Sequence, residues 1–271
     1  MKNAVVIGTL GVAISFAMLA FGYLAGTASA PATAAPTAMV AAGGQRIDRG
    51  AVEAIVRDYL IANPEVMVEV QAALEARQEE ERRVAQLDTI KTASDTIFNA
   101  AYDGLVGNRD GKITVVEFFD YNCGYCKRAL GDMERLVSAN PDLRFVMKEF
   151  PILGPDSQKA SQVSMAFHNL APEKYAEFHT RLIGAQGRAT EAVAMRIALS
   201  LGVDEEALRA EMKNPAINEA LGETYELANK LAITGTPSYV IGEEVVFGAM
   251  GHQVLAQKIA DVRAACATAS C

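Results

Sequence analysis

The chain has 271 residues, a formal net charge of −8, four cysteines and no tryptophan. That acidity, with no basic run to offset it, excludes nucleic acid and an anionic membrane surface as partners. The cysteines fall in two close pairs, too few to staple a miniprotein, so the fold must rest on its own core, with length for one full domain and an additional segment.

Residues 4–25 are uncharged, mostly apolar and preceded by Lys2. The run is long enough for a bilayer, which takes about 20 residues at 1.5 Å each. Two readings stay open. One is a signal peptide within residues 1–28, cut at the small residues Gly26-Thr27-Ala28 or Ala28-Ser29-Ala30. The other is an uncleaved anchor, which the length of the run and Pro31 favour. No polar face marks this stretch as a buried core helix. Either export reading places the globular part in the periplasm, where disulfides form. Residues 29–46, rich in Ala, Pro, Thr and Gly, read as a linker.

Residues 47–103 read as a helical stalk. Val52, Ile55, Val56, Tyr59 and Leu60 make one apolar stripe. Asn63-Pro64-Glu65 is expected to restart the helix, with Asn63 as its N-cap. Between Glu75 and Arg83, seven of nine residues are charged, so this turn-on-turn polar stretch is expected to face solvent all round. Apolar spacing returns at Val84, Leu87, Ile90, Ile97 and Phe98. An amphipathic face so far in sequence from a core either folds back on the main domain or associates with other copies of the chain.

Gly107-Asn108-Arg109-Asp110-Gly111 has the composition of a tight turn, and Lys112–Phe119 that of a strand buried on both faces. Glu117 inside it is either an outward strand residue or a partly buried acid beneath the cysteines, relaying protons. Cys123-Gly124-Tyr125-Cys126 follows at the start of a helix expected over Cys126–Ser138, and a strand of alternating character is expected over Leu143–Lys148. Cys-x-x-Cys spacing alone could be half of a zinc site. A thiol at a helix N-terminus, however, meets unpaired N–H groups and the positive end of the dipole, which stabilise a thiolate. Cys123 is therefore the expected nucleophile.

The stretch Val116-Glu117-Phe118-Phe119-Asp120-Tyr121-Asn122-Cys123-Gly124-Tyr125-Cys126 closely resembles the active-site strand and motif of DsbA-family thiol–disulfide oxidoreductases. The resemblance runs from about Gly107 to Ala265 and includes Lys148-Glu149-Phe150-Pro151-Ile152-Leu153-Gly154 and Thr234-Gly235-Thr236-Pro237-Ser238-Tyr239. It implies an α/β thioredoxin-like fold over residues 104–265 with a helical insert at about 156–232, preceded by the helical stalk. It also implies that Pro237, preceded by Thr236, is cis and packs against the active-site disulfide. The stalk resembles the N-terminal oligomerisation segment of DsbA-like proteins such as the trimeric suppressor-of-copper-sensitivity type, which implies a homotrimer.

In such chemistry Cys123 exchanges with a substrate disulfide or thiol, and Cys126 resolves the mixed disulfide without metal or cofactor. Gly124 and Tyr125 tune the poise. No histidine sits between the cysteines, so the Cys123 pKa is expected below ~8.5 but above the ~3.5 of DsbA. Cys-Gly-Tyr-Cys followed by Thr before the proline also resembles bacterial disulfide isomerases. The reading leans to a disulfide isomerase or reductase of exported proteins, reset by a membrane redox partner. The alternatives are a DsbA-like dithiol oxidase, a reductase dedicated to one partner, and a chaperone or scaffold with a static disulfide.

Cys266 and Cys271, in the tail 266–271, are expected to form a surface disulfide, with a second redox pair or an interchain link as alternatives. A Cys₄ zinc site from both pairs is disfavoured by the helix-start context of the first. His168 and His179 fall on helical stripes as packing or surface residues, and His252 begins the last helix. The Met250 loop resembles the one lining the family's substrate surface.

Overall fold

A computed structural model describes residues 48–268, with side chains to Cys266. The signal or anchor segment, the linker and Cys271 lie outside the described residues. The chain divides into two compact units with the boundary after Ala72.

In the first unit, α1 (Arg49–Ala62) starts where the Asp48 carboxylate accepts from the Gly50 N–H, and none of its residues is buried. Val52, Ile55, Val56 and Tyr59 are all exposed along it. Asn63 does not open the next helix as its sequence suggests. Its side-chain amide donates to the Tyr59 carbonyl at 2.8 Å and closes α1 instead. Helix α2 (Glu65–Thr92) begins in this unit and continues past Ala72 into the second, where its charged middle is exposed on every side and laced by the Arg77–Glu81 and Arg83–Glu80 pairs. Such exposed pairs each add only about 0.3–0.5 kcal/mol, so they solubilise more than they stabilise.

In the second unit, the end of α2 is anchored by Ile90 and by Gln86, whose amide donates to the Leu231 carbonyl at 2.7 Å. The short α3 (Ser94–Phe98) buries Ile97. A five-stranded sheet follows, built from β1 (Gly104–Gly107), β2 (Ile113–Phe119), β3 (Leu143–Glu149), β4 (Ser238–Ile241) and β5 (Glu244–Phe247) in the order β1-β3-β2-β4-β5. Strands β2 and β3 are parallel, joined through α4 (Gly124–Ala139), and every other pair is antiparallel.

Successive strand residues face opposite ways, and β2 shows what this achieves. Val115 and Phe119 enter the core shared with α4 and the insert, whereas Val116 and Phe118 enter the core shared with Ile90, Ile97 and Leu231. Glu117 has the parity of Val115 and Phe119, so it lies beneath α4. It is buried, which removes the outward-facing alternative.

The alternation expected for β3 is also absent, because Phe145 to Glu149 are all buried. Lys148 reaches this state by pairing with buried Asp103, donating to the Thr96 carbonyl, and lying 5.0 Å from the Tyr102 ring centroid. Strand β1 gave no sequence signal. It has four residues, two of them glycine, and Gly104 is there because a Cβ would come within 1.9 Å of the Tyr175 ring.

Between β3 and β4 lie α5 (Pro155–Leu170), a 3₁₀ turn, α6 (Tyr175–Ile183), α7 (Glu191–Ser200), α8 (Glu205–Glu211) and α9 (Pro215–Lys230). Ala160, Val163, Ala166 and Phe167 of α5 and Tyr175, Phe178 and Leu182 of α6 fill the core on the α4 side of the sheet. The last helix, α10 (His252–Thr268), adds Leu255 and Ile259 to that core.

Candidate active site

The site forms where β2 ends and α4 begins. Cys123 occupies the N-cap of α4 with extended backbone (φ −75°, ψ 118°), so its sulfur lies at the positive end of the helix. Its N–H donates to the Asp120 carbonyl at 2.9 Å, and its carbonyl accepts from the Lys127 N–H at 3.0 Å. Cys126 lies one turn on, and both cysteines are free thiols. Cys123 is 6% exposed and Cys126 1%, so only the first can meet a partner.

Across from them the Thr236–Pro237 peptide is cis, and the Cys123 thiol donates to the Thr236 carbonyl at 3.1 Å. On ionisation the sulfur instead gains bonds from the Cys126 thiol, the Thr236 side chain and the backbone N–H groups of Cys126 and Tyr125. The first of these is the largest effect, and together they outweigh burial, lowering the pKa to about 5. This falls in the interval expected for a motif without histidine. The Cys126 thiol is driven upward, first because it donates to Cys123, then by burial and by the nearby Glu117.

Glu117 stands opposite Tyr239 of β4 and Met147 of β3. Burial, and secondarily the Cys123 charge, raise its pKa from 4.5 to about 8. A carboxyl whose folded pKa is raised lends stability that is complete below about 4.5 and is lost as pH climbs to about 8. Relative to Glu117→Gln, the wild type is therefore expected to weaken across this window by up to about 1.4 kcal/mol per pH unit. Paired urea unfolding curves near both ends would check it, and a constant gap between the two proteins would refute it.

A second set of residues, not singled out by their sequence, holds the turn in place. Asp120 is fully buried and accepts from the Asn122 N–H at 2.7 Å, the Ser157 hydroxyl at 2.7 Å and the Leu153 N–H at 2.9 Å. The Asn122 side chain imitates a strand, accepting from the Ala189 N–H at 2.8 Å and donating to the Ala189 carbonyl at 3.0 Å. Lys127 donates to the carbonyls of Ala185 and Gly187. The Asp120–Asn122 bond is an Asx turn, a local signal that Asp-x-Asn before a helix start offers. The insert partners carry no such signal.

Glu149, at the end of β3, is another buried acid, raised by burial to about 8 and hydrogen-bonded by Ser161 at 2.7 Å. His179 is fully packed against Phe119 and 3.3 Å from the Tyr121 hydroxyl, a packing residue as its helical position suggested.

Beside Cys123 an open, mainly apolar cavity of about 280 Å³ is bordered by Tyr125, Thr236, Pro237, Phe247 and Gly248. Tyr125 is 59% exposed at its rim, with the Arg128 guanidinium 4.3 Å from the ring centroid. The Gly248 N–H donates to the Pro237 carbonyl at 2.9 Å, fixing the loop that carries exposed Met250. Cys266 borders a different groove with Leu87 and Val245, and its expected partner Cys271 lies outside the described residues.

A nucleophilic thiol at a helix start, a buried second thiol and a facing cis-proline on a β-α-β frame define a thioredoxin-like thiol–disulfide oxidoreductase. Residues 114–260, more than half of the chain, match the DSBA-like thioredoxin domain, and the protein belongs to that family. Residues 48–81 match the copper resistance protein ScsC N-terminal domain.

Among solved structures, a thioredoxin-like oxidoreductase from Silicibacter pomeroyi DSS-3 is 38% identical, covering 62% of this chain and 96% of that one, with a TM-score of 0.59. Proteus mirabilis ScsC in a transitional conformation is 30% identical over 78% of this chain and 93% of that one, with a TM-score of 0.59. Salmonella enterica Typhimurium BcfH is 27% identical over 78% and 94%, with a TM-score of 0.66. The curated Na(+)/H(+) antiporter NhaA 1 of Salinispora arenicola is 23% identical over 159 residues. This chain spans only 24% of that relative's length. Among the described residues no helix is long and apolar enough to cross a membrane.

Proposed function

We propose that the protein is a periplasmic disulfide isomerase or reductase of exported proteins, in which Cys123 attacks and Cys126 resolves. The observation that carries this reading is the pairing of a low-pKa, barely accessible thiol with a deeply buried, high-pKa one across a single helical turn. Such a pair forms a mixed disulfide through one sulfur only. The open apolar cavity at Pro237 would accept an unfolded segment beside the cysteine, and a membrane redox partner would reset the site. Exposed apolar residues along α1 support assembly into a homotrimer, which brings several sites to one substrate.

Scrambled ribonuclease should regain activity with the wild-type protein and not with Cys123→Ala; equal recovery in both would remove the isomerase claim. Light scattering should find the full chain multimeric, and Val56→Glu should lower its mass. A monomeric wild type would remove the assembly claim.

A second reading has its own support. A thiolate held at about 5 stabilises the reduced form and so makes the disulfide more oxidising, as a dithiol oxidase requires. Faster oxidation of reduced ribonuclease than rescue of the scrambled form would favour it.

A further inference from the structure

A cavity of about 410 Å³ opens beside edge strand β1, bordered by the loop before it, by Arg109, by Arg144 and Val146, and by His168 and Asn169 at the end of α5. The redox chemistry has no use for it. We infer that this cavity is a binding site for a small oxyanion of the phosphate or carboxylate class, held by Arg109 and Arg144.

In a chain of net charge −8, two guanidinium groups converge here, and neither forms an ion pair with a described residue. Arg144 is rigidly aimed: its Nε donates to the Thr114 hydroxyl at 2.8 Å, and its Nη2 donates to the Asn99 side-chain Oδ1 at 3.0 Å and to the Phe98 carbonyl at 3.4 Å. All three acceptors are neutral, so the positive charge is fixed in place and left uncompensated, with the other Nη uncommitted among the described residues. A pre-positioned fork of this kind suits a planar or tetrahedral oxyanion.

The acid bordering the cavity does not cancel these charges. Asp103 is buried and already paired with Lys148. His168 lies on the border of the cavity, its ring packed edge-on against that of Tyr175 with centroids 5.3 Å apart. It is 8% exposed, and its Nδ1 is enclosed by the protein rather than open to the cavity. Burial and the Arg109 charge lower its pKa, so it sits there as a neutral imidazole able to donate one N–H. The Asn169 amide is occupied by Glu211, which leaves the two arginines and His168 as the recognising groups.

The test is calorimetric titration of the full chain with inorganic phosphate and, separately, with succinate. Saturable binding of either is expected, and the stronger of the two names the class. Arg109→Glu, an exposed substitution, is expected to weaken it by about tenfold or more without altering ribonuclease refolding. Arg144→Gln should weaken it similarly while keeping the wild-type circular dichroism. Absence of saturable binding of both anions into the tens-of-millimolar range would overturn the site. So would undiminished binding by Arg109→Glu, whatever becomes of the second variant.

Discussion

A Cys126→Ser variant is expected to accumulate covalent adducts with substrate proteins through Cys123, while Cys123→Ser forms none and loses exchange activity altogether. The physical basis is the division of labour between the sulfurs. In the proposed exchange, a Cys123 thiol with a pKa of about 5, almost wholly thiolate at neutral pH, attacks a substrate disulfide, releasing one substrate thiolate and leaving the mixed disulfide. Resolution needs Cys126 to lose its proton, and the largest effect holding that proton is its hydrogen bond to the Cys123 thiolate. Once Cys123 is bonded to substrate, that anion is gone. The same change removes the Cys123 charge, the lesser of the two effects raising the Glu117 pKa, which eases its ionisation while burial still opposes it; in the proposed relay Glu117 takes the Cys126 proton. Cys126 then attacks the Cys123 sulfur, expelling the substrate sulfur as a thiolate. Serine at 126 cannot complete this step. Non-reducing gels after incubation with scrambled ribonuclease should show the adduct; its absence would place the attacking sulfur elsewhere.

Lys148→Met is expected to destabilise the protein by about 3–5 kcal/mol, because it strands the Asp103 carboxylate in the interior. Burial already works against the pair, lowering the lysine pKa and raising that of Asp103 to about 7. Their mutual attraction is what opposes it. The double variant Lys148→Met with Asp103→Leu removes both charges and should recover most of the loss, since apolar replacements of buried pairs are often neutral or better. Urea midpoints of the wild type, both single variants and the double variant close the cycle. Equal destabilisation in the single and the double variant would mean that Lys148 acts by packing alone.

The same pair shows where sequence reading reaches its limit. The β2–Cys-x-x-Cys–α4–β3 unit was legible because it is carried by local signals: a continuous apolar run, a helix start and a closing Asn140-Pro141. The cis Thr236–Pro237 bond was reachable only through resemblance, since no local rule demands it. Lys148 looked like the outward residue of an alternating strand because its neutralising partner lies 45 residues earlier in the chain, in a segment with no periodicity. Strand β1 stayed hidden for a related reason. Its identity comes from the antiparallel register with Arg144 to Met147, not from its own four residues. Asp120 and Asn122 stand within the motif, yet their task is set by Ser157, Leu153 and Ala189, which sequence distance conceals.

The Asn122–Ala189 bonds bear on how far this catalytic motif can be transplanted. Its local signals alone would make a Cys-x-x-Cys helix a cartridge that can be moved between thioredoxin-like frames. Here the cartridge is latched from outside by the loop joining α6 to α7, through Asn122 and through Lys127. A chimera that inherits residues 120–127 without that loop inherits the sulfurs but not their bearing. Conversely, a loop of altered length would disturb the reacting atoms without touching a single residue of the motif.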